Sequence, residues 1–343
     1  MIFKNFLMLG LIFFSFNSFS EELKQSQQEG SKSGREVNQE SVANDDQFQN
    51  YKLPDGRVST FEKPDWKYIV TQLPENALTT LKLAFAPDTF WPWMGILSST
   101  AVLYKYDEDI LLDVQKQGRN LGIGNEDHTK TIVEVGDINI IRVPTDTGSF
   151  MYFIGDGWTH FGIAASFLIY GTSKNDYRAW NTSYQLVHGM ALSSFYNQIL
   201  KHATGRQAPN NRTEPRGRWR PFPSIRTYNT QTASYDAMPT GHLMTGSLVL
   251  TIINENYPEY SSVTLPVGIT LLSLLGWQMI NNGVHWASDY PLGIAMGIFY
   301  GKYVANNWKF KKVSDKAIAQ ENRLHILPML SSQFQGLTVS YEF

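Results

Sequence analysis

Two histidines, each at the mouth of a predicted helix, are the residues of this sequence best suited to proton or group transfer. Met238-Pro239-Thr240-Gly241-His242 forms a turn that runs into an apolar helical stretch beginning at Leu243. Thr240 suits the N-cap position, which leaves the N–H groups of Gly241 and His242 without helical acceptors. Gly241 lets a ligand come close to the backbone. A helix start of this kind attracts anions, and His242 stands at its mouth. Taken alone, an ordinary capped helix with an incidental histidine explains the stretch better.

The second histidine lies in Asn282-Gly283-Val284-His285-Trp286-Ala287-Ser288-Asp289-Tyr290-Pro291. Ser288 or Asp289 can cap a helix that has Pro291 in its first turn. Asp289 follows His285 by four positions, so its carboxylate can reach the imidazole across the helix entry. A carboxylate on one ring nitrogen fixes the tautomer and raises the basicity of the other, as a nucleophilic histidine requires. Metal ligation by the His-x3-Asp pair and an inert buried His–Asp hydrogen bond stay open on these residues alone. Upstream, Lys201-His202-Ala203-Thr204-Gly205-Arg206-Gln207-Ala208-Pro209 supplies cations.

The order of the three stretches resembles the signature of the type 2 phosphatidic acid phosphatase family. That signature runs Lys-x6-Arg-Pro, then Pro-Ser-Gly-His, then Ser-Arg-x5-His-x3-Asp. Here His242 lies 41 residues after Lys201 and 43 before His285, separations within the family's habit. The resemblance spans about residues 150–304. It implies an all-α bundle of about six core helices and hydrolysis of a phosphate ester through a phosphohistidine, with no cofactor and no metal. By resemblance His285 is the nucleophile, Asp289 its orienting partner and His242 the general acid. Lys201, Thr240 and the N–H of Gly241 would bind phosphate oxygens.

Two arginines of the signature are missing. Ala208 stands at the position of the first and Met279 at that of the second. Such guanidiniums make bidentate contacts to phosphate, and losing one should cost about 2–4 kcal/mol of transition-state stabilisation. Arg206, and Arg220 of the Trp219-Arg220-Pro221 step, are the expected replacements; Asn281 and Asn282 are neutral donors nearby. Two other functions remain. One is a lipid-phosphate binding protein without turnover. The other is a vanadium haloperoxidase of the same superfamily, against which the missing arginines argue.

Six apolar stretches of helical length must position these residues: 90–104, 150–170, 184–200, 243–253, 263–280 and 291–304. Gly293, Ala295, Gly297 and Gly301 suit close helix packing. Core helices of a soluble bundle and short membrane-spanning helices fit equally, 150–170 and 263–280 being the best spanning candidates. Trp91 and Trp93 fit a membrane interface or a core. Between the third and fourth stretches, residues 203–238 read as a polar loop. From 201 to 226 seven basic residues face one acid, Glu214, which suggests an anion-binding rim or a solvated loop.

Four regions follow: 1–20 a secretory signal, 21–64 a disordered polar linker, 65–311 the helical domain and 312–343 a tail. The signal reading rests on Lys4, an apolar run to Phe16 and small residues before Glu21. It places the protein outside the cytoplasm, in the periplasm or on a membrane facing it. The linker has too few large apolar residues to offset its ordering entropy. In the tail, 324–328 and 336–343 read as a β-hairpin. Absence of cysteine removes disulfides and thiol catalysis. A net charge of −2 gives no field for nucleic acid. The expected partner is a phosphate-bearing small molecule or lipid, with membrane association open; the residues leave the oligomeric state undetermined.

Overall fold

The computed structural model describes residues 47–135, 138–314, 324–330 and 335–341. The expected signal segment, its cleavage after Ser20 and most of the linker lie outside the described residues. The remainder is predominantly helical, with ten α-helices among the described residues: α1 Tyr68–Thr71, α2 Leu73–Ala84, α3 Phe90–Asn120, α4 Thr147–Phe153, α5 Gly157–Lys174, α6 Tyr177–Thr204, α7 Ile225–Thr230, α8 Gly241–Asn256, α9 Ser261–Asn281 and α10 Tyr290–Asn306. The helical bundle is as the sequence predicts.

Helix α3 runs on through a charged segment that hydropathy alone would end at residue 104. It continues because one face stays inward: Ile96, Leu103, Asp107, Leu111, Val114 and Gly118 are buried, at the three- and four-residue spacings of one helical stripe. At α4 the expected spanning stretch 150–170 fails. Phe153 ends one helix and Asp156 caps the next, its carboxylate accepting from the Trp158 N–H at 2.8 Å. The other candidate fares differently: Pro258–Asn281 is long and apolar enough to cross a membrane. Trp91 is 75% exposed, whereas Trp93 donates to the Ala84 carbonyl at 2.7 Å and stacks on Phe85.

The core has two neighbouring clusters. One gathers Leu103, Leu111, Leu275, Trp286 and Tyr290, the other Leu186, Met244, Leu248, Ile252 and Trp308. Helices α8 and α10 pack at close range through a glycine stripe. A side-chain carbon at Gly297 would collide with the Met244 carbonyl, and one at Gly293 would sit 2.6 Å from the Thr240 carbonyl. Only the absence of a Cβ permits this approach.

Strands are more numerous than a lone C-terminal hairpin. Phe48–Lys52 (β1) pairs with Val58–Glu62 (β2), which pairs with Lys311–Val313 (β5), all antiparallel. The 21–64 linker expectation therefore fails at its C-terminal end, and the helical domain expected over 65–311 is closed by a sheet that crosses both of its boundaries. Side-chain alternation explains it: Ser59 and Phe61 turn inward and their neighbours outward. A second hairpin joins Thr129–Val135 (β3) to Ile138–Pro144 (β4). The expected tail hairpin is present, as Leu324–Leu330 (β6) paired with Gln335–Tyr341 (β7).

Candidate active site

Three helix ends meet at one point. Helix α6 ends at Gly205, which takes φ +54° and donates its N–H to the Lys201 carbonyl at 2.8 Å. Lys201 therefore sits in the last turn. The Thr204 hydroxyl, also in that turn, donates to the Met238 carbonyl at 2.6 Å, binding the first stretch to the second. The second is bound to the third by the Thr240 N–H, which donates to the Asp289 carbonyl at 3.3 Å. These links carry the two imidazoles together: the rings of His242 and His285 lie 6.2 Å apart, steeply inclined at 71°.

His285 is buried, and its Nδ1 donates to the Ala237 carbonyl at 2.6 Å. A carbonyl can only accept, so the proton is fixed on Nδ1 and the lone pair on Nε2. Asp289 Oδ2 is 3.7 Å from Nδ1. The tautomer expected to be fixed by Asp289 is fixed instead by the Ala237 carbonyl, and the carboxylate lies beside Nδ1 without a hydrogen bond to it. Its oxygens are held elsewhere. Oδ2 accepts from the Trp286 N–H at 2.7 Å and Oδ1 from Arg206 Nη1 at 2.5 Å.

His242 lies in the first turn of α8 and packs against Tyr152, ring centroids 5.0 Å apart. Burial first, then the charges of His285, Lys201 and His160, push its pKa down to about 3. Lys201 is buried, with Nζ 3.3 Å from Asp236 Oδ2. A side-chain carbon at Gly241 would lie 3.0 Å from Asn197 Nδ2 and 3.9 Å from Lys201 Nζ. The ammonium and the Asn197 amide thus face the opening turn of α8 at the point where position 241 has no side chain. Thr240 is the N-cap residue by position, but its side chain makes no cap hydrogen bond; the hydroxyl turns to Met279 Sδ at 3.9 Å. The Thr240 hydroxyl thus faces sulfur, and its backbone N–H is taken by the Asp289 carbonyl.

The arginine expectation divides. Arg206 is fully buried, donating to Asp107 Oδ2 at 2.7 Å, Asp289 Oδ1, the Ser288 hydroxyl at 2.7 Å and the Arg216 carbonyl at 3.1 Å. The rings of Tyr104, Trp219 and Trp286 surround it, 5.1–5.3 Å from the guanidinium carbon. It faces carboxylates, not the histidine pair, and is not a replacement phosphate ligand. Arg220 lies over the Tyr235 ring at 5.8 Å and forms no ion pair among the described residues. Ala208 and Met279 are buried in the apolar core, so no cation stands at either position. Asn281 donates to the Gly124 carbonyl at 3.0 Å and Gln278 to the same oxygen at 2.8 Å, which holds the end of α9 rather than the site.

The 203–238 segment is an ordered layer whose arginines Arg212, Arg216, Arg218 and Arg226 are exposed to solvent. Arg206 bridges to both Trp219 and Asp236, and Gln207 Oε1 accepts from the Thr213 and Arg218 N–H groups. Four contributors escape the motif reading: the Ala237 carbonyl, Asn197, His160 and Asp107. Asn197 precedes Lys201 by one helical turn, which is a usable signal. His160 is buried, with neither ring nitrogen in a hydrogen bond among the described residues, and burial pushes its pKa down to about 4. Asp107 interrupts the apolar stripe Leu103, Leu111, Val114, and a carboxylate at such a position is itself a signal. Among the described residues no cluster of histidines and carboxylates has the arrangement of a metal site.

Residues 183–312 match the model of the PAP2 superfamily, a segment that holds all three stretches and helices α8 to α10. The match bears out the resemblance over this segment. A solved structure, the first transmembrane PAP2 type phosphatidylglycerolphosphate phosphatase from Bacillus subtilis, is similar over 70% of this chain and 95% of its own, at 14% identity and a TM-score of 0.38. No curated protein matched the sequence.

Proposed function

We propose that the protein is a phosphatase that hydrolyses a phosphate monoester or pyrophosphate, lipid-linked, through a phosphohistidine on His285. The observation that carries this reading is the facing pair of imidazoles, 6.2 Å apart, one of them held by Ala237 as the Nδ1–H tautomer. His285 Nε2 attacks phosphorus, and the bond to the leaving oxygen breaks as that oxygen takes a proton from His242. Water then attacks phosphorus, gives its proton to His242 and releases inorganic phosphate and neutral His285. The phosphorylated imidazole is cationic, and the Asp289 carboxylate at 3.7 Å favours it. Lys201, Asn197, the Gly241 N–H and Arg220 take the phosphate oxygens, a division of labour suited to phosphoryl transfer, which depends on positioning and on cationic donors.

The empty site holds His242 neutral at pH 7. A phosphate dianion supplies negative charge beside the ring and raises its pKa, so substrate binding itself arms the general acid. A lipid-linked substrate and membrane association belong to the same proposal. They are supported by the apolar helix Pro258–Asn281 and by outward-facing Trp91, Val263 and Val267. Export to the periplasm is the further reading of the amino-terminal sequence.

The test is phosphate release from para-nitrophenyl phosphate and from phospholipid phosphates by wild type and His285→Ala. The variant is expected to lose more than about 1,000-fold in kcat, and acid-labile radiolabel should be trapped only on wild type. Near-normal turnover by His285→Ala would overturn the assignment. Missing guanidiniums at Ala208 and Met279 favour a second reading, a lipid-phosphate binder without turnover. Saturable binding with no phosphate release would select it.

A further inference from the structure

The geometry points to Asp107, in the middle of helix α3, as a positioning residue for the nucleophile turn, acting on His285 through Ser288, Arg206 and Asp289. This inference rests on the role assigned to His285 above. Asp107 lies outside the superfamily-matched segment 183–312, and no part of the three-stretch signature includes it.

The connections are direct and buried. Asp107 Oδ1 accepts from the Ser288 N–H at 3.0 Å, and Oδ2 accepts from the Ser288 hydroxyl at 2.5 Å and from Arg206 Nη2 at 2.7 Å. Arg206 passes the grip to Asp289 Oδ1 through its other terminal nitrogen, and Asp289 Oδ2 holds the Trp286 N–H, the residue after the nucleophile. Asp107, Arg206, Ser288 and Asp289 all have 1% or less of their surface exposed. The turn Ala287–Asp289 is therefore clamped at three of its polar groups by one carboxylate and the arginine that carboxylate neutralises.

Two carboxyl groups share one guanidinium at hydrogen-bonding distance behind the nucleophile turn. Burial pushes the pKa of Asp107 up, with Arg206 and Ser288 pulling the other way. An isolated carboxylate at this depth would be a cost without return; one wired to the nucleophile turn has a reason to be there. Loss of arginine at 208 fits the same picture, since Arg206 is committed to the clamp and carries no phosphate.

Asp107→Asn keeps the volume and the acceptor for the Ser288 N–H but removes the charge and the acceptor for Arg206. It leaves Arg206 paired one-to-one with Asp289, so the variant should fold. Its kcat is expected to fall about 100-fold, the scale of a small misplacement of reacting groups, with KM within about twofold of wild type. The 15N signals of the His285 ring should shift, since the turn that carries the ring is no longer held in one position. Asp107→Ala should lose more, and where it fails to fold Asp107→Asn decides. A purely structural Asp107 predicts a lower melting temperature with unchanged kcat and unchanged ring signals in the folded fraction, and that result overturns the inference. If wild type hydrolyses no phosphate ester, the phosphatase reading fails. The ring signals of His285 in Asp107→Asn then decide the positioning role on their own: shifted signals support it and an unaltered spectrum removes it.

Discussion

His242 carries the sharpest chemical consequence. A ring held down to about 3 is uncharged in the empty protein at neutral pH, and a bound phosphate dianion raises its pKa. Binding of inorganic phosphate at pH 7 should therefore take up protons, measurable by calorimetry in buffers of differing ionisation enthalpy. His242→Gln should abolish the uptake while retaining binding. The arginines offer a second contrast. Arg206→Ala leaves Asp107 and Asp289 buried without their cation, a loss of about 3–5 kcal/mol, and should appear as a large fall in melting temperature. Arg220→Ala should leave stability unchanged and lower kcat by about 10- to 100-fold. Equal stability of the two variants would contradict this division.

At the scale of elements, the contact between α8 and α10 sets the distance between the histidines. Gly297→Ala forces a methyl group against the Met244 carbonyl and should destabilise by about 1–3 kcal/mol. Because the shift separates the helices that follow His242 and Asp289, kcat should fall as well, whereas Gly95→Ala, with open space around it, should change neither quantity. The same elements explain what was legible in the sequence. His242, His285 and Lys201 could be found because each sits at a helix end whose local chemistry is written in consecutive residues. Asp107 could not, since its partners Ser288 and Arg206 lie 181 and 99 positions away. Spacing places Asp289 on His285, but the carbonyl that accepts the Nδ1–H hydrogen bond comes from 48 positions upstream. Arg206 was misassigned for a related reason: a cation beside a phosphate motif looks available until its buried carboxylates are known. Strands β1 and β2 escaped because β2 is completed by residues 311–313 at the far end of the fold.

For the whole molecule, buried neutral histidines set the response to acid. His160 and His242 have folded pKa values of about 4 and about 3, both below the ordinary 6.5. The unfolded chain thus binds more protons between these values and 6.5, and stability is lost as pH falls through that window. For His160 the loss approaches roughly 3 kcal/mol near pH 4. Melting temperatures should fall steeply from pH 6.5 to 4, and His160→Gln should flatten the decline. A flat profile for wild type would show that His160 is not buried neutral.

The sheet β1–β2–β5 has one more implication. It lays Ser59 beside Val313 and Thr60 beside Lys312, so the segments that precede and follow the helical bundle in sequence are neighbours. A short linker could join them, and the chain could be opened instead between the exposed residues Asn125 and Glu126, past the Gly124 carbonyl that holds the end of α9. Such a circular permutant keeps every contact of the histidine pair, and its activity should survive the change in connectivity.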